Sequence, residues 1–235
     1  MRTLLLLGWL MVGVGLGAYH YGPGQDQIKL EEVASALKQA EQLAQEQNWA
    51  DAVSAYSQAL SHLPADRVAD ARRIRLERAK AQMLARQLPE AHDELDLLVE
   101  ELQSDPSAPK PFVAETLTAH ANAQYYLTWL MRLEGLPRDE WEPEIESARQ
   151  TFRMLATEAE QSGQVALASA RVEDVESAIR LARMEPEELQ GLAIPKQCQG
   201  CKSGQCKGRK PGRCPGGEKV KDARGASAGP PPDNE

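Results

Sequence analysis

Between Gln47 and Pro64, in QNWADAVSAYSQALSHLP, apolar side chains return every three or four positions. Val53, Tyr56, Ala59, Leu60 and Leu63 therefore share one face of a helix. Ala52 and Ala59 are small where a neighbouring helix must come close. Pro64 ends the run, because it has no N–H to donate and its ring clashes with the preceding turn. So short a helix does not hold itself together in water; it needs a partner against which to bury its stripe. The constraint on the whole chain is thus that it supply more amphipathic helices, and an all-α fold is expected.

The chain supplies them. From Ile28, Leu30, Val33, Leu37, Ala40 and Ala44 mark a first helix that stops at Gln47-Asn48. A third opens near Asp66, read as its N-cap. Leu88-Pro89-Glu90 starts a fourth, with proline in the first turn where it is tolerated; its stripe is Leu88, Ala91, Leu95, Leu98 and Leu102. After the loop SDPSAPKP, a fifth helix spans Phe112 to Glu134. Val113, Leu117, Ala121, Leu127 and Met131 are its expected buried side, and most of the cluster Tyr125, Tyr126 and Trp129 is expected in the core. Gly135-Leu136-Pro137 breaks the chain and Asp139 can cap a sixth helix with Trp141, Ile145, Ala148, Phe152, Leu155 and Ala159 inward. A seventh, Gln164 to Met184, would bury Val165, Ala168, Val172, Val175, Ile179 and Ala182 and keep a charged outer face, as a terminal cap needs. Pro195 is the expected end of the ordered part.

Ala52, Tyr56 and Pro64, with Asn48-Trp49 before them and Ala40 upstream, resemble the A-x3-F…P signature of the tetratricopeptide repeat. Ala91 and Leu95, and then Ala148 and Phe152, echo the spacing. The intervals are 39 and 57 residues against the family's usual period of about 34, so the repeats are degenerate and carry insertions. The resemblance implies an α-solenoid of about three helix pairs over residues 25–163, a capping helix over 164–195, and protein–protein binding without enzymatic activity. It also implies that polar residues of alternate helices line the concave side, which makes Gln39, Arg75, Asn122 and Tyr126 the candidate partner-binding residues.

Residues 1–24 form a separate segment. Thr3 to Tyr21 contains no Asp, Glu, Lys or Arg, and nineteen helical residues span roughly 28 Å, close to the hydrocarbon thickness of a bilayer. Arg2 precedes it, while Asp26, Glu31 and Glu32 follow. The positive-inside rule then leaves the N-terminus in the cytoplasm and the rest exported, which in a bacterium means a single-pass protein of the inner membrane. A cleaved signal peptide is the alternative, with Gly15-Leu16-Gly17 as the small-x-small site; bulky Tyr19, His20 and Tyr21 argue for the uncleaved anchor. Gly13 and Gly17 have the spacing that lets two such helices approach as a homodimer, although glycine is also common in such segments.

The net charge of −8 conceals two halves. Residues 196–235 carry 9 basic and 4 acidic side chains, the first 195 carry 18 and 31. An acidic helical body is not a nucleic-acid surface. The basic tail, rich in Gly and Pro, is expected to be disordered. It holds all four cysteines, Cys198-x2-Cys201-x4-Cys206-x7-Cys214. Four thiolates this close can take zinc tetrahedrally, and basic neighbours would lower their pKa; on the exported side disulfides compete. A metal- or thiol-dependent module built on these cysteines is the second functional reading. No HExxH, P-loop, dinucleotide or GxSxG pattern is present. The histidines His20, His62, His92 and His120 look scattered. The acidic run Glu140, Glu142, Glu144 and Glu146 fits the start of a helix, where carboxylates meet the positive end of the dipole.

Overall fold

The computed structural model describes residues 23–203 together with Trp9. Among them the secondary structure is entirely helical. The elements are α1 (Pro23–Gln45), α2 (Trp49–His62), α3 (Val68–Leu84), α4 (Leu88–Gln103), α5 (Lys110–Leu133), α6 (Arg138–Gln161), α7 (Val165–Arg183), the short α8 (Pro186–Gln190) and a 3-10 turn, Lys196–Cys198. Among the described residues no helix is long and apolar enough to cross a membrane. The expected anchor Thr3–Tyr21 lies outside them except for Trp9. The chain divides within α3 into two compact units, at Arg78/Ala79.

In the first unit α1 packs on α2. The contact is built of small residues: Ala36 and Ala40 beside Val33 on α1, and Ala52, Val53, Ala55, Tyr56 and Ala59 on α2, all buried. Alanine at a helix seam lets the backbones approach and loses no side-chain entropy on burial. Arg78 at the end of this unit reaches back to Ser57, Nη1 to Oγ 3.4 Å. Asp66 is not a cap. It is exposed, and α3 begins two residues later, with Arg67 O accepting from Ala71 N at 2.9 Å.

In the second unit α4 packs on α5, α5 on α6 and α6 on α7, while α8 and the 3-10 turn lie against α5. All five predicted stripe residues of α4 and all six of α6 are buried. Ala121 of α5, Ala148 and Phe152 of α6 form a dry core against which Val175 of α7 packs. Two stripes differ from expectation. On α5, Val113 and Leu117 are half-exposed, whereas Phe112, Thr116, Ala119, Ala123 and Leu127 are buried. The helix is turned because its buried face is partly polar, and polar positions carry no weight in an apolar stripe. On α7 only Ala178 and Leu181 are buried, while Val165 and Val172 are exposed; its first half leaves apolar side chains in water instead of closing a core. Asp139 is inside α6, not its cap. Pro137 holds that position and Asp139 sits in the first turn, where its charge still favours the helix.

Four helix ends turn in the same way. Gln47, Arg86, Gly135 and Gly163 have φ of 59°, 65°, 71° and 70°. After each, an N–H returns to a carbonyl five residues back: Asn48 to Leu43, Gln87 to Gln82, Leu136 to Met131 and Gln164 to Ala159, at 2.8 to 3.0 Å. This left-handed closure satisfies carbonyls that a helix end otherwise orphans.

The far end of the second unit is tied down by two side chains from the end of α5. Arg132 donates to the carbonyls of Leu181 and Met184 and lies over the Trp141 ring, 4.7 Å from its centroid. A cation there both satisfies the last carbonyls of α7 and opposes the negative end of its dipole. Glu134 accepts from the backbone N–H of Ser203 at 2.8 Å and from its hydroxyl. Cys198 and Ser203 are each 2 % exposed. Packing thus continues past Pro195 to Ser203, which corrects the expectation of disorder from Lys196: two buried side chains and a carboxylate clamp offset the ordering entropy of so short a stretch.

Candidate functional site

Two features of the second unit have the makings of a site. The first is an open groove of about 1160 Å³ walled by the end of α3, the first half of α5, the last turns of α6 and the start of α7. Its apolar lining includes Val113 and Leu117, which explains their half-exposure, together with Met83, Met154 and Leu167. Met154 and Leu167 are 43 % and 44 % exposed. Charge is confined to a few places: Lys80 and Glu115 pair across the wall at 2.6 Å, Arg171 pairs with Asp174 at 3.1 Å, and Lys110 and Glu158 complete the set.

The four candidate partner-binding residues do not form one surface. Gln39 is exposed on α1 and Arg75 is half-buried on α3, both in the first unit. Asn122 lines the groove. Tyr126, one turn further along α5, is not among the groove residues. Its carbonyl accepts from the Cys198 thiol at 3.4 Å and its ring meets Tyr125 edge-on, 5.3 Å between centroids. Of the aromatic trio only Trp129 is fully buried; its indole N–H donates to the Tyr125 hydroxyl at 3.2 Å.

The cysteines behave differently from expectation where they are described. Cys198 and Cys201 are free thiols. Both pKa values are raised, not lowered. Burial pushes the Cys198 thiol up strongly, with Cys201 adding to it. Burial also raises Cys201, against a hydrogen bond from the Leu88 backbone and the charge of Arg86, which act in the opposite direction. Removing a thiolate from water costs more than these neighbours return. Cys206 and Cys214, the other two residues of the proposed zinc or disulfide cluster, lie outside the described residues.

The second feature is a polar cluster that sequence reasoning missed. His92 and Asp96 stand one turn apart on α4, His120 and Gln124 one turn apart on α5, and Glu144 is in the first half of α6. The two histidines look unrelated in sequence, yet their rings are 5.6 Å apart and tilted by 39°. Both are 8 % exposed and Gln124 is 6 % exposed. Glu144 is a member of this cluster and not merely part of an acidic helix start. Its Oε2 lies 3.2 Å from His92 Nε2 and accepts from the Gln124 amide at 3.1 Å. Asp96 faces both rings, with Oδ2 3.8 Å from His92 Nδ1 and Oδ1 2.7 Å from His120 Nε2.

The environments split the two imidazoles. Burial opposes charging His92, but the Glu144 hydrogen bond and the charges of Glu144, Asp96 and Asp93 outweigh it, so its pKa is raised. For His120 burial wins: Asp96 favours the cation, the charge of His92 opposes it, and the pKa is lowered. The hydrogen bond with His92 holds Glu144 below the usual carboxylate range despite burial. The local signal in the sequence was the pair of i,i+4 spacings, His92 to Asp96 and His120 to Gln124, which place two polar groups on one face of each helix.

Compared with protein-family models, with curated proteins and with solved structures, the chain matches none.

Proposed function

We propose that this chain is a non-enzymatic scaffold of tetratricopeptide-like helices that holds a partner protein in the groove between α5, α6 and α7. We further read it as anchored in the inner membrane of a bacterium by Thr3–Tyr21, with the helices on the exported side. The groove carries the proposal. At about 1160 Å³ it exceeds the roughly 300–1,000 Å³ usual for small-molecule sites. Half-exposed Val113 and Leu117 with exposed Met154 and Leu167 offer apolar contact without a reactive group among them. That suits an amphipathic helix laid in a groove, with apolar anchors at i, i+3 and i+4. The repeat resemblance supports the same class of partner.

The test places a photo-cross-linking residue at Leu167 in the full-length protein in its native membrane, with the same residue at Leu97 as control. Leu97 is 55 % exposed on α4 and is not a groove residue. A discrete adduct from position 167, absent from position 97 and lost when Met154 is changed to Asp, is the expected result. Equal adducts from both positions, or none from 167, would remove the groove from the function.

A further inference from the structure

We propose that His92, Asp96 and His120 form a binding site for a divalent first-row transition ion, zinc in the first instance, that staples α4 to α5. One ligand atom from each residue lies within 4.8 Å of the others. Donors around a tetrahedral zinc sit about 2.0–2.2 Å from the ion, so closing the set needs side-chain movements on the order of 1 Å and no change of backbone. Imidazole nitrogen together with one carboxylate is a donor set that suits zinc and its neighbours rather than calcium or magnesium, which take oxygen.

Three details favour a metal over a plain ion pair. First, Glu144 can only accept, so its contact with His92 Nε2 puts a proton there and makes Nδ1, on the Asp96 side, the nitrogen for which a metal competes with a proton. A carboxylate that fixes the far nitrogen of a histidine is the usual support of a metal-ligating imidazole, and here the Gln124 amide holds that carboxylate in turn. Second, His120 Nε2 is 2.7 Å from Asp96 Oδ1, so two of the three donor atoms already adjoin. Third, the Asp96 side chain is 56 % exposed while both histidine side chains are 10 % exposed. The carboxylate opens the cluster to water, which gives an entry path and an open fourth position.

The four cysteines are rival zinc ligands, so the experiment must tell nitrogen and oxygen from sulfur. Full-length protein is stripped with chelator and titrated with cobalt(II) as the spectroscopic probe, then with zinc in competition. Weak visible bands without a sulfur-to-cobalt charge-transfer band, displaced by one equivalent of zinc, are expected. The same binding should persist when all four cysteines are changed to Ser. His120→Gln and Asp96→Asn should abolish the bands, and Glu144→Gln should weaken zinc by about 10–100-fold without removing it. Circular dichroism of each stripped variant separates loss of site from loss of fold; should His120→Gln unfold, the spectrum of the unaltered chain decides alone. A spectrum dominated by sulfur charge transfer, binding indifferent to His120→Gln in a folded protein, or no binding in the cysteine-free chain would each overturn the proposal.

Discussion

Helices α5 and α6 meet two different neighbours in two different ways. Toward α7 they present Ala121, Ala148 and Phe152, a dry contact in which the largest side chain is 1 % exposed. Toward α4 they present His120, Gln124 and Glu144, which meet His92 and Asp96. On α6 the switch takes one turn, from Glu144 to Ala148. The apolar contact is bound by shape and is indifferent to pH and ions. The polar one is bound by charge, and a buried polar group that loses its partner costs more than the pair contributes. Two sides of one helical pair thus answer to different variables.

The comparison breaks most directly at Phe152. Changing it to Ala should cost about 3–5 kcal/mol by denaturant unfolding, and Ala148→Leu about 1–3 kcal/mol through overpacking. A seam that tolerates both is not the dry contact described. On the polar side, Glu144→Ala leaves the His92 and Gln124 N–H groups without an acceptor and should cost about 1–3 kcal/mol. Changing His92, Gln124 and Glu144 together to Leu should cost less than Glu144→Ala alone in the metal-free protein, because none of the three partners is then left buried and unpaired. No such reversal is expected for any pair at the Phe152 seam.

The pH dependence sharpens the contrast further. In the chelated protein the stabilisation from His92, whose pKa is raised, is complete below the ordinary imidazole value of 6.5 and is lost as pH rises through its folded value. His120, whose pKa is lowered, acts in the opposite sense: its share is complete above 6.5 and is lost as pH falls through its folded value. Asp93, Asp96 and Glu144 face the two rings, and Glu144, held below the usual carboxylate range, stays ionised over that window. Melting curves from about pH 5 to about pH 8 should therefore peak near the middle. His120→Gln should flatten the acid limb and His92→Gln the alkaline one, whereas Phe152→Ala should lower the whole curve without changing its shape.

The dry seam was legible in the sequence because it reports itself within single helices. Trp141, Ile145, Ala148, Phe152, Leu155 and Ala159 keep one period on α6, and all are buried. The cluster has no such period. Its members are scattered over three helices, and nothing local to His92 or His120 announces the other. The same blindness turned α5: its buried face includes Thr116, His120, Gln124 and Thr128, so an apolar stripe alone selected Val113 and Leu117 and pointed the helix into the groove. Thr116 and Thr128 are accommodated by bonding back to the carbonyls of Phe112 and Gln124 at 2.9 and 2.8 Å, a solution invisible to periodicity. On α7 the apolar residues that remain exposed misled in the other direction.

The four left-handed turns do not share one tolerance to change. A non-glycine residue in that conformation costs roughly 1–2 kcal/mol, so Gln47→Gly should raise the melting midpoint by an amount worth up to about 1 kcal/mol once the greater freedom of the unfolded chain is subtracted. Arg86 looks like the same opportunity and is not. A Cβ built on Gly200 would meet Arg86 Cδ at 3.1 Å and Nε at 3.3 Å, so the arginine stem packs directly beneath Gly200. Relaxing that turn with glycine would free the backbone and remove the stem packed against Gly200 together, and Gly200, itself at φ +74°, is confined both by its backbone and by that stem. Sequence drift can thus ease the first turn freely, while at the third helix end it must change two distant positions in step.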